Sequence, residues 1–246
     1  MSAPAEWFRE WFGEPYLALY PHRDEEEAAA GVRLFREHAD PGAGARVLDL
    51  ACGAGRHLRH LVAAGYDAVG VDLSPTQLAE ARARAGLAGR LARGDMRDLP
   101  FGDGRFLAVV NFFTSFGYFA TPEEDARVVG EIARVLAPGG RFLIDYLNAA
   151  RVRERLVRRN ETETEGRRVV QTRWLDGEHV IKRIEIHPPG EGRPDTYFER
   201  VRLYEPDLLV ALLAAHGLSL AERYGDYDGT PATRDAPRLL LVGRAA

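Results

Sequence analysis

The sequence predicts an α/β protein: a doubly wound, mostly parallel seven-stranded sheet with a small antiparallel β insertion. Three observations predict it. Between residues 47 and 147, apolar runs of strand length alternate with segments of helical period. Gly53 and Gly55 follow the first apolar run at once, so strand, glycine turn and helix succeed one another. From 160 to 204 the rhythm changes to polar–apolar alternation around Asp176-Gly177, a dipeptide that favours a two-residue hairpin turn.

Taken in order, residues 5–12 place aromatic residues at helical spacing, and Gly13-Glu14-Pro15 breaks that helix. Asp24 is a good N-cap for a helix running to His38, with Glu25, Glu26 and Glu27 in the first turn, where the helix dipole favours acids. The run 47–50 reads as a buried strand and 56–64 as its amphipathic helix. A second strand spans 67–72, and Ser74-Pro75 starts the next helix with a capping hydroxyl and a proline in its first position. Strands follow at 90–94, 106–112 and 141–147, with a helix at 122–136 ended by Pro138-Gly139-Gly140. Residues 151–159 read as a basic helix whose arginines form a solvated face. Strands at 168–175, 178–187 and 196–204 make the insertion. A helix at 207–216 and strands at 218–223 and 238–242 close the sheet. The division expected is a core of 1–159 and 205–246 with an inserted β subdomain of 160–204.

A chain of 246 residues with a net charge of −4 fits one α/β domain with an insertion, and its overall charge does not draw it to nucleic acid. Cys52 is the single cysteine, so an intrachain disulfide and an iron–sulfur cluster held by this chain alone are excluded. That composition suits a reducing cytoplasm. No apolar run reaches membrane-spanning length, and the seven histidines lack metal-ligand spacing. Asn, Gln, Cys and Met are scarce and Lys182 is the only lysine, a composition that suits a thermophile.

The chemistry is expected at the carboxyl ends of the strands, where doubly wound sheets present their ligands. Asp49 sits inside an apolar run, where a carboxylate is costly unless something polar or cationic meets it. Leu58 stands where a dinucleotide fingerprint has its third glycine, and Asp49 would repel a pyrophosphate, so a nicotinamide dehydrogenase is disfavoured. A ligand carrying an ammonium group would be attracted instead. Asp72 ends the second strand 23 positions after Asp49, where a carboxylate can accept both ribose hydroxyls of an adenosine.

The segment Asp49-Leu50-Ala51-Cys52-Gly53-Ala54-Gly55 resembles motif I of the class I S-adenosylmethionine-dependent methyltransferases. Gly94-Asp95-Met96-Arg97-Asp98-Leu99-Pro100-Phe101 resembles that family's adenine-binding segment, and Asn111-Phe112-Phe113-Thr114 its motif IV in small-molecule enzymes. The resemblance covers residues 47–147. It implies S-adenosyl-L-methionine as cofactor, with Asp49, Ala51, Cys52, Gly53 and Gly55 around its methionine half. Asp72 would hold the ribose, with Ser74 and Gln77 beside it. Leu73, Asp95 and Met96 would meet the adenine, and Asn111 and Phe112 would lie near the reacting end.

The same resemblance implies an N-terminal helical lid in which Tyr16, Tyr20 and Arg23 fold over the cofactor, aromatic faces suiting a sulfonium. No catalytic base stands out. Tyr20, Tyr118 and Asn148 are candidates for orienting the acceptor, while His57 is expected on the helix surface, away from the reaction. The expected activity is methyl transfer to a small-molecule acceptor by in-line displacement. A cofactor-binding regulator without turnover and an RNA methyltransferase are the alternatives.

Overall fold

The computed structural model describes residues 3–20, 25–84, 86–164, 166–190 and 192–246. Helices α1 (Trp7–Trp11), α2 (Glu14–Leu19) and α3 (Glu25–His38) precede β1 (Arg46–Leu50). Then come α4 (Arg56–Ala63), β2 (Asp67–Asp72), α5 (Pro75–Ala83), β3 (Leu91–Arg93), β4 (Phe106–Asn111), α6 (Pro122–Val135) and β5 (Leu136–Leu147). After α7 (Ala149–Arg155) come four strands, β6 (Arg159–Thr164), β7 (Arg167–Asp176), β8 (His179–His187) and β9 (Asp195–Arg202). Helix α8 (Pro206–Ala215), β10 (Leu218–Tyr224) and β11 (Arg238–Ala245) complete the chain.

The larger sheet has the order β10-β11-β5-β4-β1-β2-β3, and β11 runs antiparallel to both its neighbours. The chain reverses direction of travel across the sheet between β1 and β4, which leaves a crevice at their carboxyl ends. One apolar cluster, with Trp7, Trp11, Val128, Ile132, Leu209 and Leu213, fills the face under α1, α6 and α8. A second, with Val32, Phe35, Leu58 and Leu61, fills the face under α3 and α4. Both faces are therefore covered, which is why β1 and β4 read as nearly continuous apolar runs.

The expected doubly wound sheet and antiparallel insertion are present, and several boundaries move. Pro15 stands in the first turn of α2, where its missing N–H is harmless, so Gly13-Glu14-Pro15 ends one helix and starts the next. The expected cap Asp24 lies outside the described residues. Pro138-Gly139-Gly140 does not separate helix from strand. It sits inside β5 at a register shift against β4, with Gly139 at φ +71°.

The basic helix is shorter than expected. Asn148 caps α7, which ends at Arg155, and Arg159 already belongs to β6. That strand was not separable in the sequence, because Arg-Asn-Glu-Thr-Glu-Thr has no apolar face to reveal a period of two.

The four-stranded antiparallel sheet, order β6-β7-β8-β9, is anchored to the core at one end by Arg202. Arg202 Nε donates to Asp125 Oδ2 at 3.1 Å, and its backbone N–H donates to Gly117 O at 2.8 Å. Both side chains are buried, and Tyr204 Oη donates to the same Asp125 oxygen at 3.0 Å. Burial holds the Asp125 carboxyl up at about 6.

Candidate functional site

The floor of the site is the turn after β1. Ala51 and Gly53 both have positive φ, +58° and +53°. Such a conformation is strained for alanine and marks a turn held by its surroundings. What holds it is Asp72 at the tip of β2. Its Oδ2 accepts the Gly53 N–H at 2.8 Å and its Oδ1 accepts the Ser74 N–H at 2.8 Å. Burial raises the Asp72 pKa, and these backbone N–H groups offset part of that rise. Ser74 Oγ accepts from Gln77 N as the cap of α5 and donates to Phe12 O at 2.6 Å, tying the chain after α1 to the strand tips.

The two glycines of the turn do different work. A Cβ on Gly53 would meet only Gln77 Oε1, at 3.6 Å, so that position is open to a ligand. A Cβ on Gly55 would come within 2.5 Å of Leu87 Cδ1 and 3.2 Å of Ala81 Cβ. Gly55 therefore lets α4 approach α5 and does not face the cavity.

Asp49 lies behind the turn, 1 % exposed, and is not part of the cavity lining. Its Oδ2 has no hydrogen-bond partner, and burial together with the Asp72 charge pushes its pKa up to about 8. Gln77 Nε2 and Asn111 Oδ1 are also buried without a partner. Asn111 Nδ2 donates to Leu50 O at 2.8 Å, fastening β4 to β1, and Asn111 too stands behind the lining.

At the tip of β3, Asp95 and Met96 line the cavity. Burial raises the Asp95 pKa, but the Arg97 guanidinium, 3.0 Å from Oδ1 and 2.7 Å from Oδ2, outweighs it and holds the carboxyl low. At the tip of β4 a second strained turn faces the first: Phe113 at φ +62° and Thr114 at φ +53°. Buried Asp145 on β5 holds it, Oδ2 accepting the Phe113 N–H at 2.6 Å and the backbone O accepting the Thr114 N–H at 3.0 Å. Arg238 on β11 pairs with Asp145 at 3.1 Å and also with Glu27 of α3.

Between these tips and the smaller sheet lies a cavity of about 1480 Å³. Its walls include Phe12, Tyr16 and Tyr20 from the N-terminal segment, and Ala51, Cys52, Gly53, Asp72, Leu73, Ser74 and Gln77 from the floor. Phe112, Tyr118, Tyr146 and Leu147 continue the lining, and Arg173, Val180, Lys182, Glu199 and Val201 form a roof from β7, β8 and β9.

Of the residues expected around a cofactor, the structure thus brings most to one cavity, leaves Asp49, Gly55 and Asn111 behind it, and does not describe Arg23. Of the acceptor-orienting candidates, Tyr20 and Tyr118 line the cavity. Asn148 does not. Its amide donates to the carbonyls of Thr233, Arg234 and Ala236 at 2.9, 3.2 and 2.8 Å, so it fastens a loop.

Two sets of lining residues carried no sign in the sequence that they belong to the site. His57, expected on the helix surface, is buried, lines the cavity and stacks on Phe112 at 4.3 Å. The roof residues Arg173, Lys182 and Glu199 sit on opposed positions of neighbouring strands. Their alternation was visible, but which face turned inward was not. Among the described residues no cluster of histidine, cysteine and acidic groups could hold a metal ion.

Residues 47–140 match the methyltransferase domain family. The chain is 34% identical over 205 residues to a dTDP-3-amino-3,6-dideoxy-alpha-D-glucopyranose N,N-dimethyltransferase of Streptomyces fradiae, covering 81% of this chain and 78% of that one. It is 35% identical over 151 residues to a dTDP-3-amino-3,4,6-trideoxy-alpha-D-glucopyranose N,N-dimethyltransferase of Streptomyces venezuelae. That match covers 59% of this chain and 63% of the relative, less than two thirds of its length. Among solved structures, S-adenosylmethionine-bound CalS10 from Micromonospora echinaspora, an amino pentose methyltransferase, superposes with a TM-score of 0.69 at 28% identity, over 95% of this chain and 97% of that one.

Proposed function

The chain belongs to the S-adenosylmethionine-dependent methyltransferases, and from that premise we propose that it methylates the amino nitrogen of a small acceptor of the amino-sugar class. The observation that carries this reading is one continuous cavity whose floor suits a nucleoside and whose roof leaves room beyond it. The floor fits the cofactor on its own terms. It has an open glycine at Gly53, a carboxylate at Asp72 pre-aimed by two backbone N–H groups, and the orphaned buried atoms Asp49 Oδ2 and Gln77 Nε2 around the turn.

In this reading Asp72 accepts the ribose hydroxyls, Asp95 and the Met96 N–H meet the adenine edge, and Leu73 covers its face. Asp49 biases the turn toward a cationic amino group. Ala51, Cys52, Gly53, Ser74 and Gln77 supply the surrounding wall, with Asn111 and Phe112 at the tip of β4. When bound, the cofactor supplies a methyl group on a sulfonium, whose departure leaves a neutral thioether.

The chain's own contribution is positional. Tyr16 and Tyr20 cover the cavity from the N-terminal side, and Trp7 Nε1 donates to Tyr118 O at 3.3 Å, fixing the segment that carries Tyr118. Tyr20 and Tyr118 orient the acceptor nitrogen in line. The N-terminal helices act as the lid and residues 160–204 as the subdomain covering the acceptor. The two named relatives act on amino sugars, and CalS10 on an amino pentose. The nitrogen acceptor and the sugar class come to this chain from them.

The test is methyl transfer from labelled S-adenosylmethionine to a panel of amino sugars, free and nucleotide-linked, beside phenols and RNA. Transfer to the amines is expected. Binding of S-adenosylhomocysteine with transfer only to phenols or RNA, or with no turnover at all, would overturn the acceptor assignment. We also propose a cytoplasmic, heat-adapted protein, on the single cysteine and the scarcity of amide side chains. Among the described residues no helix is long and apolar enough to cross a membrane. A melting temperature in the mesophilic range would refute the heat adaptation.

A further inference from the structure

The roof of the cavity carries a cation that pairs with no carboxylate among the described residues. Arg173 on β7 stands opposite Lys182 on β8, which stands opposite Glu199 on β9, and all three line the cavity. Lys182 and Glu199 pair with each other, and Trp11 Nε1 donates to Glu199 at 2.8 Å, so their charges cancel within the row. Arg173 is held differently. Its Nη1 donates to the Asn160 amide oxygen and its Nη2 to the Gln171 amide oxygen, both neutral groups. Gln171 Nε2 in turn donates to Tyr20 Oη at 3.3 Å, so the guanidinium is oriented by a chain of uncharged side chains.

The other lining arginines show what is unusual here. Arg9 pairs with Glu6, Arg56 with Glu27, Arg84 with Glu25 and Arg238 with Asp145. Arg93 donates to Leu73 O and is exposed to solvent. Arg173 is partly buried and lines the cavity together with the apolar roof residues Val180 and Val201. Two of its five N–H groups are committed to amides, which leaves donors for an incoming anion. A partly buried cation without a counter-ion favours a ligand that brings one.

Building on the methyltransferase reading, we propose that Arg173 is a specificity-determining residue that receives an anionic group of the acceptor, phosphoryl or carboxylate, while the acceptor's nucleophile points down to the floor. Asn160 and Gln171 position its fork. The acceptor is thus a small molecule with an anionic group, and within an amino-sugar panel the members that carry no anionic group are the poorer substrates.

The experiment is calorimetric titration of the whole chain, with and without S-adenosylhomocysteine, using inorganic pyrophosphate and succinate as probes at low and physiological salt. At least one probe is expected to bind. Arg173→Gln should weaken that binding tenfold or more, Arg173→Lys less, and both variants should keep S-adenosylhomocysteine affinity within twofold and the melting temperature of the parent. Binding of pyrophosphate alone assigns a phosphoryl group, and of succinate alone a carboxylate. No binding of either probe, or binding equal in the parent and Arg173→Gln, would overturn the proposal. If S-adenosylhomocysteine fails to bind the parent, the methyltransferase reading fails by itself, and the anion titration of the unloaded chain still decides the role of Arg173.

Discussion

The floor and the roof of the cavity are built on opposite plans. The floor is irregular backbone at the ends of parallel strands, with three non-glycine residues at positive φ: Ala51, Phe113 and Thr114. Two carboxylates, half-buried Asp72 and fully buried Asp145, hold the two turns by accepting their N–H groups. The roof is regular antiparallel sheet, and its lining comes from ordinary side-chain alternation on β7, β8 and β9. A site made of backbone suits a ligand shared by a whole family. A site made of exchangeable side chains suits a ligand that varies from member to member.

The strongest way to break this contrast is to detach the roof while sparing the floor. Arg202 joins β9 to Asp125, and both are buried. Arg202→Leu leaves the Asp125 carboxyl buried without its cation, which costs about 3–5 kcal/mol. The expected outcome is a melting temperature lower by roughly ten degrees in calorimetry. Below that transition, S-adenosylhomocysteine should still bind within a few-fold of the parent. If its affinity collapses with the roof, floor and roof are one site and the contrast fails.

The converse change attacks the floor alone. Asp72→Ala removes the acceptor of two N–H bonds and the group assigned to the ribose. A loss of about 3 kcal/mol, a hundredfold or more in S-adenosylhomocysteine affinity, is expected by titration calorimetry. Pyrophosphate binding at the roof should not change. An unaltered cofactor affinity would remove Asp72 from the ribose.

The same contrast explains how much could be read from the sequence. That Gly53, Asp72 and Asp95 would line one cavity was legible because each stands at or just past the end of a strand, and a doubly wound sheet puts such ends together whatever else the chain does. Asp49, one residue inside its strand, was expected with them and lies behind the lining. The difference between Gly53 and Gly55 was not legible, since it depends on Leu87 and Ala81 arriving from elsewhere. Asp145, in the middle of an apolar run, gave no local sign that it would hold the Phe113 turn across the sheet. The hairpin at Asp176-Gly177 was plain, yet Arg173, Lys182 and Glu199 become one row only through the register of three strands. Strand β6 escaped because it is polar on both faces.

A smaller effect sharpens the boundary of the site. Asn148 was a candidate to orient the acceptor, but its amide is committed to three carbonyls of residues 233–236. Asn148→Ala should lower stability by about 1–3 kcal/mol through the carbonyls it leaves behind. It should leave cofactor affinity and the acceptor's KM unchanged. A rise in KM with an unchanged melting temperature would return Asn148 to the site.

The mildest change asks whether the floor is complete before a ligand arrives. Burial, then the neighbouring Asp72 charge, raises the Asp49 carboxyl from an ordinary 3.8 to about 8. Between those values the folded chain holds a proton that the unfolded chain has released. Stability therefore falls as pH rises through that window and levels above about 8. Asp49→Asn has no such proton, so it should melt together with the parent near pH 4 and a few degrees higher at pH 8. An ammonium group placed over the turn would favour the ionised carboxylate, so binding S-adenosylhomocysteine at pH 7 should release a proton from the parent and not from the variant. Calorimetry in two buffers of different ionisation enthalpy reads that proton directly. Equal release from both proteins would mean that Asp49 supports the turn without sensing the cofactor's charge, and that the floor owes its cation preference to another group.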